Sequence, residues 1–167
     1  KEAFQVPANG EVAITADFDL RRALIAIGGG GPNSPSTYLL KPVVRLVVEN
    51  QAGAIAGDAG NVPSDSNNYV AYAYENDTYS SDEQTTTESD SVLFGNAVTS
   101  GTIEIAADND DYVLPFLSGG TYDVIVAQYD EASGDYVADS ATELASDVEV
   151  TAGETTEVSL DLSNFYN

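Results

Sequence analysis

Alternating apolar and polar positions run through most of the chain and predict β-strands. In VAITADFDL (12–20) the large apolar residues all lie at even positions and the polar residues all lie at odd positions, the period of two expected for a strand with one buried face. From YVAYAYE (69–75) onward, short Val-, Ile-, Tyr- and Thr-rich segments recur about every ten residues between Gly, Asn, Asp or Ser clusters. No segment shows a sustained helical period. The pattern predicts an all-β fold, an antiparallel β-sandwich with an extended amino-terminal strand segment.

The first fifty residues carry patterns of a different kind. RRALIAI (21–27) fits either a short helix or a strand, and GGGGPNSPS (28–36) predicts a flexible loop. YLLKPVVRLVVEN (38–50) has apolar residues at both even and odd positions, which predicts a strand covered on both sides. Pro42 should lie at an edge or a bulge, because proline cannot donate a backbone hydrogen bond to a neighbouring strand.

One later segment lacks any strand pattern. NDTYSSDEQTTTESDS (76–91) contains no aliphatic residue and carries five acids. We expect it to be a solvated excursion between strands, with nothing in it that requires order.

Two sets of motifs resemble known families. DFDLRRAL (17–24) with YLLKPVVRLV (38–47) resembles the carboxyl-terminal end of an uncharacterised domain family of bacterial surface lipoproteins, whose larger part would precede residue 1. GAIAGDAG (53–60), YVLPFLSGGTYDVIVAQYD (112–130) and VEVTAGETTEVSLDL (148–162) are similar to carboxypeptidase-regulatory-like sandwiches.

The second resemblance implies an immunoglobulin/transthyretin-like sandwich over residues 51–167, preceded by a strand segment over residues 1–50. It implies structural roles for Gly119 and Gly120 in a turn, for Tyr122 in the core or at a corner, and for Gly153 in a hairpin. Modules of this family are accessory, adhesive or display domains, so the resemblance implies no catalytic residues.

Charge is distributed very unevenly along the chain. The net charge is −23, and all five bases lie in residues 1–45 together with four of the 28 acids. Residues 46–167 therefore carry 24 acids and no base. Such a surface repels nucleic acid and anionic membranes, and it requires cations from the medium for screening. The acidity alone is equally consistent with a role in solubility.

The amino-acid composition excludes most common types of catalytic site. The chain has no Cys and no His, which excludes disulfides, thiolate nucleophiles, imidazole bases and zinc sites built on these ligands. No run of residues is long and apolar enough for a membrane helix, so we expect no membrane insertion. The start at Lys1 suggests an upstream leader that was removed, and hence a secreted or cell-surface location.

Carboxylates provide the remaining candidates for chemistry. Asp17 and Asp19 share one strand face but lie close in sequence to the bases, so we expect an ion-pair network that holds this strand to YLLKPVVRLVV rather than a glycosidase pair. Asp108, Asp110 and Asp111 group hard oxygen ligands before a strand and could bind Ca²⁺, although the spacing of a calcium-binding loop is missing and an ordinary turn explains them as well.

Ten tyrosines leave a further choice open. Tyr72 and Tyr74 share one face of a predicted strand, where an exposed row could bind carbohydrate or a neighbouring subunit. The more common alternative is that such rings fill a sandwich core with their hydroxyls at the rim.

The terminal strand suggests the function. If its apolar face has no partner in the chain, it must either fold back onto the sandwich or insert into a neighbouring subunit by strand addition. We therefore expect a non-enzymatic extracellular subunit that forms a homopolymeric, pilus-like fibre; the alternative is a monomeric adhesion or ligand-binding module, with calcium as a possible ligand. The predicted interface residues are Phe4, Val6, Val12, Ile14, Phe18 and Leu20.

Overall fold

The computed structural model describes residues 10–18, 24–27, 37–40, 44–63, 67–84, 93–105, 111–129 and 140–166, and for 24–27 and 37–40 it describes the backbone alone. The protein is an all-β sandwich preceded by a paired ribbon of strands, which confirms the predicted fold class. None of the helices in the described part is long and apolar enough to cross a membrane.

The first sheet of the sandwich has the order β10-β9-β6-β7 and is antiparallel throughout. Its strands are β6 (Asn68–Glu75), β7 (Thr99–Thr102), β9 (Gly120–Tyr129) and β10 (Ser140–Val150). The edge strand β10 contains two register shifts along its pairing with β9. Bulges of this kind twist an edge and hinder the addition of another strand there.

The second sheet is built around β5 (Ala52–Gly60). β8 (Asp111–Ser118) pairs with it antiparallel, whereas β11 (Thr155–Glu157) and β12 (Leu160–Asp161) pair with it in parallel. The predicted antiparallel sandwich thus also contains parallel pairing, which the sequence patterns did not indicate, where β11 and β12 lie beside β5. The turn at Gly153 has a φ of 78° and joins β10 to β11, which lie in different sheets, so the predicted hairpin is a crossover between sheets.

The core lies between the two sheets, and its side chains are buried. β5, β6, β8 and β9 supply most of it, and its largest buried side chains include Tyr69, Tyr112, Ile55, Leu114 and Leu117. Tyr122 is buried, and its hydroxyl donates to the Ser118 carbonyl at 2.9 Å, which confirms the predicted corner aromatic. Burial, with a smaller contribution from the Glu157 charge, raises the pKa of Tyr112 well above its usual range, and its hydroxyl donates to the Val158 carbonyl at 2.8 Å.

Close backbone approach explains two of the glycines. A Cβ added at Gly57 would overlap the backbone of Val158, and one added at Gly101 would overlap the backbone of Val113. Only glycine lets β5 approach the segment before β12 so closely, and only glycine lets β7 cross against β8 at the corner of the sandwich. These positions fix how tightly the sheets close.

Part of the segment after β6 packs against the first sheet, whereas its composition predicted a solvated excursion. Residues 76–84 and 93–98 cover the outer face of the first sheet, where Tyr72 stacks on Phe94 with ring centroids 4.3 Å apart. Glu83 connects the two covering segments to each other and to β6, because its carboxylate accepts from the Asn96 backbone amide at 2.9 Å and from the Tyr74 hydroxyl at 3.1 Å. The acidic composition of the segment did not indicate that Glu83 has a structural role. Residues 85–92 lie outside the described part.

Candidate functional site: the apolar face of the amino-terminal ribbon

The amino-terminal ribbon consists of β1 (Ile14–Phe18), β2 (Leu24–Ile27), β3 (Thr37–Leu40) and β4 (Val44–Val48). β1 pairs antiparallel with β4, and β2 pairs antiparallel with β3, so the pairing is nested. RRALIAI thus supplies a strand rather than a helix. The 3-10 helix Glu49–Gln51 then leads directly into β5, the central strand of the second sheet.

Three polar contacts connect the outer pair of strands, β1 and β4, and the residues that flank them. Asp17 lies opposite Arg45 and accepts from its guanidinium at 3.0 Å, which confirms the expected ion pair between these strands. The Thr15 hydroxyl donates to the Glu49 carboxylate at 2.7 Å, and the Glu49 amide donates to the Ala13 carbonyl at 3.1 Å. Asp19, the second carboxylate of the predicted network, lies outside the described residues.

The apolar face of the ribbon is formed by side chains that stand opposite one another on β1 and β4. Directly opposed residues of an antiparallel pair project to the same side. The register therefore places on one face Ile14, Ala16, Phe18, Val44, Leu46 and Val48.

This face is open to solvent. Leu46 is 67% exposed, Phe18 56%, Val44 43% and Ile14 40%. On the opposite face Val47 is only 8% exposed. Burial raises the pKa of the Tyr122 hydroxyl, whereas the positive charge of Arg45 lowers it. Because Tyr122 belongs to the sandwich, this interaction places the Asp17–Arg45 side of the ribbon toward the sandwich. The expectation that YLLKPVVRLVVEN is covered on both sides is wrong for β4.

The ribbon gains little support from the rest of the molecule. Among the described residues, neither β1 nor β4 makes an extensive contact with a strand of the sandwich. An isolated pair of strands is marginally stable at best in water and needs a further strand or a packing partner. Four large apolar side chains on such a pair therefore indicate a surface that another element covers.

The predicted interface residues divide into two groups. Ile14 and Phe18 lie on the exposed apolar face, and Val12 is half-buried just before β1. The positions outside the described residues are Phe4, Val6 and Leu20. The sequence prediction missed Val44 and Leu46, which the pairing adds from β4. The one signal for them is Arg45, the single polar position in VVRLVV (43–48), which lies between Val44 and Leu46 and marks the opposite face of the strand.

Of the three predicted calcium ligands only Asp111 lies among the described residues, so the predicted site stays a prediction. Asp111 begins β8, opposite Asp58, and its carbonyl accepts from the Glu104 amide at 2.9 Å. Asp108 and Asp110 lie outside the described residues. Within the part of the chain that is described, no group of three or more acidic side chains has a geometry that could hold a metal ion.

An acidic turn cluster lies elsewhere, at one end of the first sheet, and comprises Asp77, Asp123, Glu143 and Asp147. The buried Asp123 carboxylate accepts from the backbone amides of Asp77 at 2.8 Å and Asp147 at 3.1 Å, two residues with positive φ. Burial and the three aspartates raise the pKa of Glu143. The hydrogen bonds give this cluster a structural role in fixing two turns.

The tyrosine row belongs to the interior. Tyr74 is fully buried and Tyr72 is 4% exposed, and the hydroxyls of Tyr72 and Tyr129 are hydrogen-bonded at 2.6 Å. The interpretation of these rings as core residues is confirmed. They offer no exposed platform for a sugar, and the apolar face of the ribbon remains the strongest candidate for interaction.

Comparison with known proteins adds no assignment. No protein family, curated protein or solved structure matches the chain at a significant level. The resemblances to a surface-lipoprotein domain and to carboxypeptidase-regulatory-like sandwiches therefore stay predictions from the motifs.

Proposed function

We propose that the protein is a non-enzymatic structural subunit of an extracellular or cell-surface filament. In this proposal the amino-terminal ribbon joins each subunit to the next, and copies of the same chain are the partners. The observation that supports it is the apolar face of the ribbon, which carries four large exposed side chains on strands that the sandwich hardly supports.

The structure changes the form that strand addition would take. β1 already has a hydrogen-bonded neighbour in β4, so it does not resemble the single free strand that the sequence suggested. In the proposal the ribbon acts as a unit, and its apolar face packs against a neighbouring subunit. The outer edge of β1 can still extend such a junction through backbone hydrogen bonds.

Burial of the exposed face supplies a sufficient driving force. The exposed fractions of the four side chains add up to about two fully exposed residues. At about 1.5–3 kcal/mol for each, their burial is worth roughly 3–6 kcal/mol per junction before the costs of association. Polymerisation would then stabilise a chain that has no disulfides.

Electrostatics sets the conditions for assembly. Each chain carries a net charge of −23, so subunits repel one another at low ionic strength. We expect assembly to strengthen as salt rises from about 10 to 150 mM, where the Debye length falls from about 30 to about 8 Å.

Size-exclusion chromatography with light scattering, followed by negative-stain microscopy, tests the proposal on the intact chain. We expect rods or ladders whose mean mass grows with protein concentration in 150 mM salt. A compact particle of 17.5 kDa at every concentration would instead support the monomeric adhesion or ligand-binding module.

A further inference from the structure

We propose that β1 pairs with β1 of a second copy, antiparallel and across a two-fold axis, so that two ribbons form one four-stranded sheet. This inference rests on the proposed function and adds to it the partner strand, the register and the symmetry of the junction. The surface concerned is the outer edge of β1, the side that faces away from β4.

The backbone of β1 presents hydrogen-bonding groups to this outer edge. The Glu49 amide donates to the Ala13 carbonyl, so these two residues form a hydrogen-bonded pair, and such pairs recur at every second residue of an antiparallel ladder. The odd-numbered residues of β1 therefore bond to β4, whereas Ile14, Ala16 and Phe18 direct their amides and carbonyls outward. Within the described part of the chain, no strand pairs with this side of β1.

The edges of the sandwich are protected against such pairing. β10 carries two register shifts, and its Glu149 carbonyl already accepts from the Thr156 hydroxyl at 2.8 Å. β7 crosses against β8, where a Cβ added at Gly101 would overlap the Val113 backbone, and β8 itself contains a bulge and Pro115. β11 and β12 are only three and two residues long. Bulges, prolines and very short strands keep an edge from pairing with another chain.

β1 has none of these protective features. Its pairing with β4 runs from Ile14 to Phe18 without a register shift, and ITADF contains no proline and no lysine. Its one charged residue, Asp17, is half-buried and paired with Arg45. A regular edge strand with exposed apolar side chains recruits another strand. Because the same chain protects the edges of its sandwich, the open edge of β1 indicates a site of pairing.

The sequence of β1 identifies a second β1 as the partner. In an antiparallel pairing centred on Ala16, Ile14 of one copy stands opposite Phe18 of the other, a β-branched and aromatic pair that stabilises sheets. On the other face Asp17 stands opposite Thr15, so no like charges are directly opposed. A register centred on Asp17 would oppose the two aspartates, which is destabilising, and one centred on Thr15 would oppose fewer residues of β1. Charge and overlap therefore favour the register centred on Ala16.

Size restricts this pairing to two copies. If β1 paired instead with β4 of the next copy, an endless sheet would form in which successive copies lie two strands, or about 10 Å, apart. A sandwich of this size is roughly 30 Å across, so successive sandwiches could not fit on one side of such a sheet. Pairing of β1 with β1 places the two β4 strands on the outside, and their ends lead to the sandwiches in opposite directions.

The four-stranded sheet doubles the apolar face and leaves it open for growth. Directly opposed residues project to the same side, so the exposed apolar side chains of both copies form one surface. A sheet of four strands also has the independent stability that an isolated pair lacks. In the filament this two-fold dimer is the repeating unit, and its doubled face provides the contact to the next unit.

Disulfide formation tests the register, since the chain has no cysteine of its own. Ala16→Cys places one thiol at the two-fold axis, where the Cα atoms of a hydrogen-bonded pair lie about 5.5 Å apart, within the range that a disulfide spans. Face-to-face packing of two ribbons would separate these atoms by about 10 Å, and β4–β4 pairing by about 14 Å. With oxidised glutathione in 150 mM salt, we expect this variant to form a disulfide-linked dimer at least tenfold faster than Ile105→Cys, an exposed control on the sandwich.

A proline substitution tests the hydrogen bonds of the edge. The Ala16 amide points away from β4, so Ala16→Pro removes a donor from the outer edge and leaves the bonds between β1 and β4 in place. Ala16→Thr is the matched control, because it keeps the amide and favours a strand. In sedimentation velocity we expect the proline variant to associate at least tenfold more weakly than the threonine variant, with the same melting temperature of the sandwich.

The outcomes separate this assignment from the function on which it rests. If the wild type associates but Ala16→Cys links no faster than Ile105→Cys, or the proline variant associates as well as the threonine variant, β1 is not the pairing edge although the subunit function survives. If the wild type stays monomeric at every concentration, the proposed function itself fails, and the pairing of β1 fails with it.

Discussion

The double substitution of Phe18 and Leu46 by threonine should weaken assembly by an amount that the structure allows us to estimate. These side chains are 56% and 67% exposed, so together they expose the equivalent of about 1.2 complete side chains. At about 1.5–3 kcal/mol per buried large apolar side chain, their loss removes about 2–4 kcal/mol from each junction. This corresponds to a rise in the dissociation constant of roughly 30- to 900-fold.

Sedimentation velocity over a range of concentrations measures this change directly. Threonine is a good strand former, and the Asp17–Arg45 pair remains, so the ribbon itself should stay intact. The control is Ile105→Thr, which truncates a 52% exposed side chain on the sandwich. We expect the control to assemble like the wild type. The reasoning fails if the double variant keeps the dissociation constant of the wild type, or if the control loses as much affinity.

Three further predictions concern the sandwich. Glu143→Gln should raise the free energy of unfolding at pH 7 by up to about 0.5 kcal/mol, because it removes an exposed charge from the acidic turn cluster. The pKa of Glu143 is raised in the folded state, so this advantage over the wild type should shrink as the pH falls and the wild-type carboxylate becomes protonated. Melting curves at several pH values would show this change. Asp123→Ala should cost about 2–4 kcal/mol in urea unfolding, because two backbone amides lose a buried acceptor, and a cost below about 0.5 kcal/mol would contradict that role. Gly57→Ala should destabilise by about 1–3 kcal/mol through overlap with Val158, whereas Gly60→Ala, whose added Cβ would lie 3.8 Å from its nearest neighbour, should be nearly neutral in the same assay.

Much of the sandwich was predictable because its signals are local. The segment TYDVIVAQY forms most of β9, and Tyr122 took the position that the motifs indicated. Of the two glycines predicted to form a turn, only Gly119 lies between the strands, because Gly120 already begins β9 and pairs with Val150. The ion pair between Asp17 and Arg45 was also predictable, because so few bases were available to the acids. Alternation and composition are sufficient for features of this kind.

Features that depend on tertiary contacts were not predictable. A continuous apolar run predicts burial on both sides, yet β4 lies in a ribbon with one side open, because no second layer covers it within the described residues. The parallel pairing of β11 with β5 depends on a crossover that strand patterns do not encode. Glu83 appeared to be one of many solvated acids, and its role became visible only through its partners.

The central claim is that another copy covers the apolar face of the ribbon, and thiol labelling tests it most directly. The chain has no cysteine, so Ala16→Cys introduces a single reactive thiol at an exposed position of this face without removing a large apolar side chain, and Ile105→Cys introduces one on the sandwich. We predict that labelling at position 16 slows markedly as protein concentration rises in 150 mM salt, while labelling at position 105 keeps its rate. Equal and concentration-independent rates at the two positions would contradict the account.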